Sequence, residues 1–165
     1  MVKIIYGVTL MMLSFSNCSS KQSLRQFNCD VVNNIIQYLK ENEKEIMGNN
    51  IAVFNTTDAL SFSYFRQEIQ LHYPNVTLPI IDSLDHKATS QRIDCDNKSN
   101  NPKIELVFSN PYKNLVLCEW FYIDKSRNPN DINAMRRFKE AKNYLFELGE
   151  EGNIRRAFTK TIQYE

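Results

Sequence analysis

Glycine is scarce in this chain, four in 165 residues, and no Gly-rich loop able to cradle a phosphate occurs. Neither Ser nor His falls in a G-x-S-x-G or triad-like setting. The two histidines show no H-E-x-x-H spacing and there is no EF-hand loop, so metal chemistry has no motif behind it. None of the four cysteines belongs to a C-x-x-C pair, which removes the spacing support for zinc or thioredoxin-like chemistry. Excess charge is missing too. Twenty Lys and Arg stand against nineteen Asp and Glu, which argues against a nucleic-acid partner, where a basic face is expected. No apolar run approaches the roughly twenty residues that span a bilayer.

What is present begins at the first residues. Met1, Val2 and Lys3 make a short basic start, Ile4 to Leu13 is mostly apolar, and Ser14, Ser16, Asn17, Ser19 and Ser20 follow. A basic opening, an apolar core of about ten residues and a small polar exit describe a secretory signal peptide. Cys18 stands directly after that exit, behind Phe15, Ser16 and Asn17. The layout resembles bacterial lipoprotein signal peptides, in which cleavage falls just before a cysteine that carries lipid. The resemblance implies export, lipid attachment at Cys18, and a chain held on the periplasmic or outer-membrane side of the envelope. Two other readings stay open: cleavage after Ser16 with Cys18 left as a thiol, or an N-terminal strand or helix from Ile4 to Leu13. On the lipoprotein reading residues 1–17 are a signal peptide and 18–28 a lipid-anchored tether. Residues 29–165 are then a single α+β domain. Removing residues 1–17 takes away one charge, Lys3, and leaves nineteen basic against nineteen acidic side chains. The remaining chain is long enough to bury a genuine core.

In an exported protein two of the three cysteines beyond Cys18 can pair. Cys118 lies inside the apolar run "NLVLCEWFYI" and reads as a buried, inert thiol. Cys29 with Cys95 is the candidate disulfide.

The spacing of Val31, Val32, Ile35, Ile36, Leu39 and Ile46 predicts an amphipathic helix from Asp30 to Met47, capped by Asp30 and stopped by Gly48. Ile51 to Phe54 reads as a short buried strand, and Asp58 to His72 as a second helix closed by Pro74. The stretch "NVTLPIIDSLDHKATS" reads as irregular, with Pro79 inside it. From Gln91 onward the chain turns strand-like, through "QRIDC", "KIELVFS", "NLVLCEWFYI", "KNYLFEL" and "NIRRAFTKTIQY". "NPYKN" and "GEEGN" have the length of hairpin turns, and a short helix is expected over Asp131 to Glu140. The expectation is an α+β fold: two or three N-terminal helices on one face of a curved antiparallel sheet of four to six strands. The closing segment "YLFELGEEGNIRRAFTKTIQYE" resembles the last hairpin of the nuclear-transport-factor-like (cystatin-like) cone fold. That resemblance implies a cone-shaped sheet around a pocket.

Candidate chemistry is sparse. Asp85, His86 and Asp94 lie within a cluster of carboxylates and form the candidate acid/base set, against the alternative of a polar loop. Trp120 and Tyr122 share one side of their strand, and Tyr144 lies on a neighbour, so all three are candidate pocket residues; buried core is their competing fate. Arg136, Arg137, Arg155 and Arg156 make two basic pairs suited to an acidic partner or to surface ion pairs. The balance points to a membrane-tethered, non-enzymatic lipoprotein that binds a small molecule or a protein partner, with no cofactor, metal or nucleic acid. The alternative is a cone-pocket hydrolase or isomerase using the Asp/His pair.

Overall fold

The computed structural model describes residues 28–86, 90–93, 95, 100–123 and 140–164. The expected helix over Asp131 to Glu140 lies outside them, except for Glu140. Helix α1, Cys29–Asn42, is capped two residues before the expected position: the Asn28 side chain accepts a hydrogen bond from the Val31 N–H at 3.1 Å. Asp30 falls in the first turn, where a carboxylate still favours the helix dipole. The helix ends at Asn42 rather than Met47, because Glu43 turns extended and its carboxylate is held by Lys142 and Tyr144 across the sheet. Gly48 closes the following turn at φ 75°, a conformation glycine adopts without strain.

Strand β1, Ile51–Val53, leads to a 3₁₀ turn at Phe62–Phe65, then α2, Arg66–His72, and α3, Leu78–His86. The α3 segment was expected to be irregular. Pro79 sits in its first turn, where a missing N–H costs nothing, and the Thr77 carbonyl accepts from Ile80 and Ile81. Four longer strands follow: β2, Ile104–Phe108; β3, Leu115–Tyr122; β4, Glu140–Leu148; and β5, Ile154–Gln163. The "QRIDC" stretch contributes one bridge, Arg92 to Thr56, rather than a strand.

The sheet runs β1-β2-β3-β4-β5. Three pairs are antiparallel, but β1 runs parallel to β2, with Ile51 beside Ile104. A mixed sheet thus replaces the expected antiparallel one. A parallel pair needs a long crossover, and the chain between the two strands supplies it through α2 and α3. Nor do the helices share one face. Helix α1 packs on Leu106, Phe108, Val116, Cys118, Tyr144 and Phe146, while the 3₁₀ turn, α2 and α3 cover Val107, Leu115, Leu117, Phe121 and Leu145. The strands explain this: every residue of β2 is buried, and strands apolar on both faces need cover on both. Passing through β1 carries the chain from one face to the other. The sheet stays open, with β1 and β5 as its edges among the described residues.

Cys118 is a free, buried cysteine whose thiol is pushed up by that burial. Cys29 and Cys95 are joined in a disulfide, with Cα atoms 5.3 Å apart across 66 residues of sequence. It ties the start of α1 to the connection before β2. Loop closure over that separation is worth about 4 kcal/mol. Cys29→Ser should therefore lower the unfolding free energy read from urea titration by that amount, and reduced wild-type protein should unfold at the same midpoint as the variant.

Candidate functional site

Of the expected acid/base set, Asp85 and His86 lie among the described residues. Asp94, like Cys18, lies outside the described residues. Asp85, near the end of α3, acts on the neighbouring 3₁₀ turn: its Oδ1 accepts the Phe62 N–H at 2.6 Å. Its Oδ2 accepts the Ser61 hydroxyl at 2.7 Å, together with the Ser63 hydroxyl and, more weakly, the Ser63 N–H. It is an N-cap supplied from another helix, meeting donors that a helix start leaves open. His86 is the last residue of α3 and is exposed.

The aromatic candidates do gather. Trp120, Tyr122 and Tyr144 lie on the α1 face, at the end of β3 and the middle of β4. The Trp120 and Tyr122 rings meet edge to face at 5.6 Å, and Tyr144 stacks on Phe146 at 5.5 Å. Trp120 and Tyr144 are buried, whereas Tyr122 is 50% exposed and forms the rim. Lys142 stands opposite Trp120 in the strand register, its Nζ 5.6 Å from the ring. That ammonium donates to Glu43 at 2.8 Å and to Glu45 at 3.3 Å, and the Tyr144 hydroxyl donates to Glu43 as well.

These contacts set the charge states. The Glu43 carboxylate raises the Lys142 ammonium. A backbone hydrogen bond and then Lys142 lower Glu45. Burial, reinforced by Glu43, holds the Tyr144 phenol neutral well above its ordinary range. The cluster is an ammonium between two carboxylates, walled by aromatic rings. Among the described residues the buried indole N–H of Trp120 meets no hydrogen-bond acceptor. The Trp120, Tyr122 and Tyr144 rings and the Lys142 ammonium thus gather at one margin of the α1 face.

A second polar centre, absent from the sequence reading, lies on the other face. Glu119 of β3 is opposite Asn143 of β4, Asn143 is opposite Lys160 of β5, and Glu105 of β2 is diagonal to Glu119. Glu105, Glu119 and Asn143 are all buried, and the Asn143 amide Nδ2 has no acceptor among the described residues. Burial pushes the Glu105 carboxyl up to about 7. A signal for the two carboxylates did exist. Each is the only charge in its strand, within "IELVF" and "LVLCEWFY", and a buried charge is costly unless paired. Among the described residues no group of three or more side chains could hold a metal ion.

Two consequences are measurable. Asp85→Ala should lower stability by about 2 kcal/mol, because hydrogen bonds to a charged acceptor are lost. Asp85→Asn should recover part of it, both read from denaturant midpoints. For Glu105 the carboxyl is neutral in both states below pH 4.5, where its contribution is full. As pH rises from 4.5 towards about 7 the unfolded chain ionises first and stability falls. Glu105→Gln should flatten that fall, gaining about 2 kcal/mol over wild type above pH 7 and nothing below pH 4.5. No known protein family, curated protein or solved structure matches this chain, so its functional reading rests on the residues described above.

Proposed function

We propose that this protein is a lipoprotein of the bacterial cell envelope, tethered to the membrane through Cys18, that binds a ligand or protein partner without catalysing a reaction. The observation that carries the reading is the Cys29–Cys95 disulfide, since such bonds persist in the oxidising compartments beyond the cytoplasm. It agrees with the signal-like start of the chain and with the cysteine that follows it. Export and anchoring then have one source in sequence. The tether of residues 18–28 spans at most about 40 Å when fully extended, which keeps the domain close to the bilayer.

The described side chains support binding rather than catalysis. Asp85 is engaged in capping the 3₁₀ turn, and His86 stands exposed at a helix end. The Trp120, Tyr122, Lys142 and Tyr144 cluster supplies aromatic surface and a donor, the ingredients of a recognition site. Among the described residues no helix is long and apolar enough to cross a membrane, so in this reading lipid supplies the anchorage. Each buried methylene contributes about 0.8 kcal/mol, and more than one acyl chain holds firmly.

Intact mass of protein extracted from native membranes should show an N-terminus at Cys18 carrying acyl chains and two thiols missing through oxidation. Cys18→Ala should move the protein from the membrane to the soluble fraction. Native protein that starts at Met1 and floats free of membranes would end this reading. Trp120 is the single tryptophan, so its emission should report a ligand at the cluster, and Tyr122→Ala at the rim should weaken that response.

A further inference from the structure

The two edges of the sheet are unequal. β1 is three residues long, whereas β5 runs ten residues from Ile154 to Gln163 and has no strand beyond it among the described residues. Natural edges are protected by shortness, proline, bulges or charge. β5 is long and contains no proline or glycine. Its one irregularity sits at its start, where the register shifts at Glu147 and Leu148. Of its three cations, Arg156 is turned to Glu147 at 3.8 Å and Lys160 to Glu68 at 2.9 Å on the same chain. Much of its positive charge is therefore answered internally, and Thr159 and Thr161 present exposed β-branched side chains.

We propose that β5 pairs antiparallel with β5 of a second copy of this chain, about a two-fold axis through Thr159 perpendicular to the sheet, joining the two sheets into one. The register follows from charge. Directly opposite residues of a continuous sheet share a face, so the axis must pass through a residue. An axis at Phe158 sets Arg156 against Lys160, and one at Lys160 sets Lys against Lys; like charges directly opposite destabilise a pair. Axes farther from the middle shorten the ladder. At Thr159 the opposed pairs are Arg156 with Ile162, Ala157 with Thr161 and Phe158 with Lys160. Thr159 meets Thr159, a favourable cross-strand pair, and each Lys160 comes beside an aromatic ring of the other copy.

This axis also keeps both α1 helices on the same face of the joined sheet. The chain enters each α1 at Cys29, so both tethers of the proposed lipoprotein would leave from one side and could enter one membrane. The pairing itself does not depend on the anchor, and the two proposals fail separately.

The test uses the full chain, with detergent density-matched in sedimentation. Wild-type protein should sediment with twice the single-chain mass that intact-mass measurement gives for the same sample. Thr159→Lys, at an exposed position, should halve that mass while leaving the circular dichroism spectrum unchanged. Thr159→Cys should form an inter-chain disulfide on oxidation beyond the wild-type background, and Ala157→Cys should not, since Ala157 faces Thr161. A wild-type chain that sediments as one copy at every concentration would overturn the proposal. So would a Thr159→Lys variant that remains dimeric, or β5 found paired with an extended acidic segment of another protein.

Discussion

Strands β2 and β3 carry apolar side chains on both faces, and a sheet of that kind has to be covered twice. The remaining architecture follows from this constraint. One helix cannot satisfy it, so α1 takes the face of Leu106, Val116 and Phe146, and the 3₁₀ turn with α2 and α3 takes the face of Val107, Leu117 and Leu145. The chain must cross from one face to the other, and it does so at the sheet edge through β1. Because the crossover returns over a helical layer, β1 lies parallel to β2. The same layout leaves β5, a long strand, at the opposite margin.

Within so apolar an interior the few polar groups stand out, and their arrangement differs on the two faces. On the α1 side Glu43, Lys142 and Tyr144 satisfy one another at the margin of the core, where Tyr122 is half exposed. That grouping also ends α1 early, since the Glu43 side chain reaches the sheet only once the helix has stopped. On the far side Glu105, Glu119 and Asn143 lie deep. There the absence of water raises the proton affinity of a carboxyl, which accounts for the elevated Glu105. The first cluster reaches solvent through Tyr122 at its rim. The second makes stability depend on pH.

The disulfide and the first turn of α1 connect the fold to the proposed anchor. Cys29 is the first residue of α1 and is bonded to Cys95, so tension on an N-terminal tether would be met by a covalent link into the connection before β2. Gly152 brings the last hairpin against the same helix. A side-chain carbon placed there would approach Val31 to 2.9 Å, and the Gly152 carbonyl accepts from Asn34. The start of α1, the disulfide and the β4–β5 turn thus form one braced end of the molecule.

The sequence by itself determined the class of the fold and the places of its strongest elements. Alternation in "KIELVFS" and the apolar run "NLVLCEWFYI" mark β2 and β3, and the repeat of Val31, Val32, Ile35 and Leu39 marks the buried side of α1. Turn residues in "NPYKN" and "GEEGN" place both hairpins. These are local signals, carried by residues a few positions apart. Only the tertiary structure decided that β1 is parallel, that α3 continues past Pro79, and that the helices divide between two faces. It also decided that Asp85 is a cap and that Glu105 lies beside Glu119. Each depends on which distant segment lies alongside, and periodicity states which side of an element is apolar without naming what will cover it.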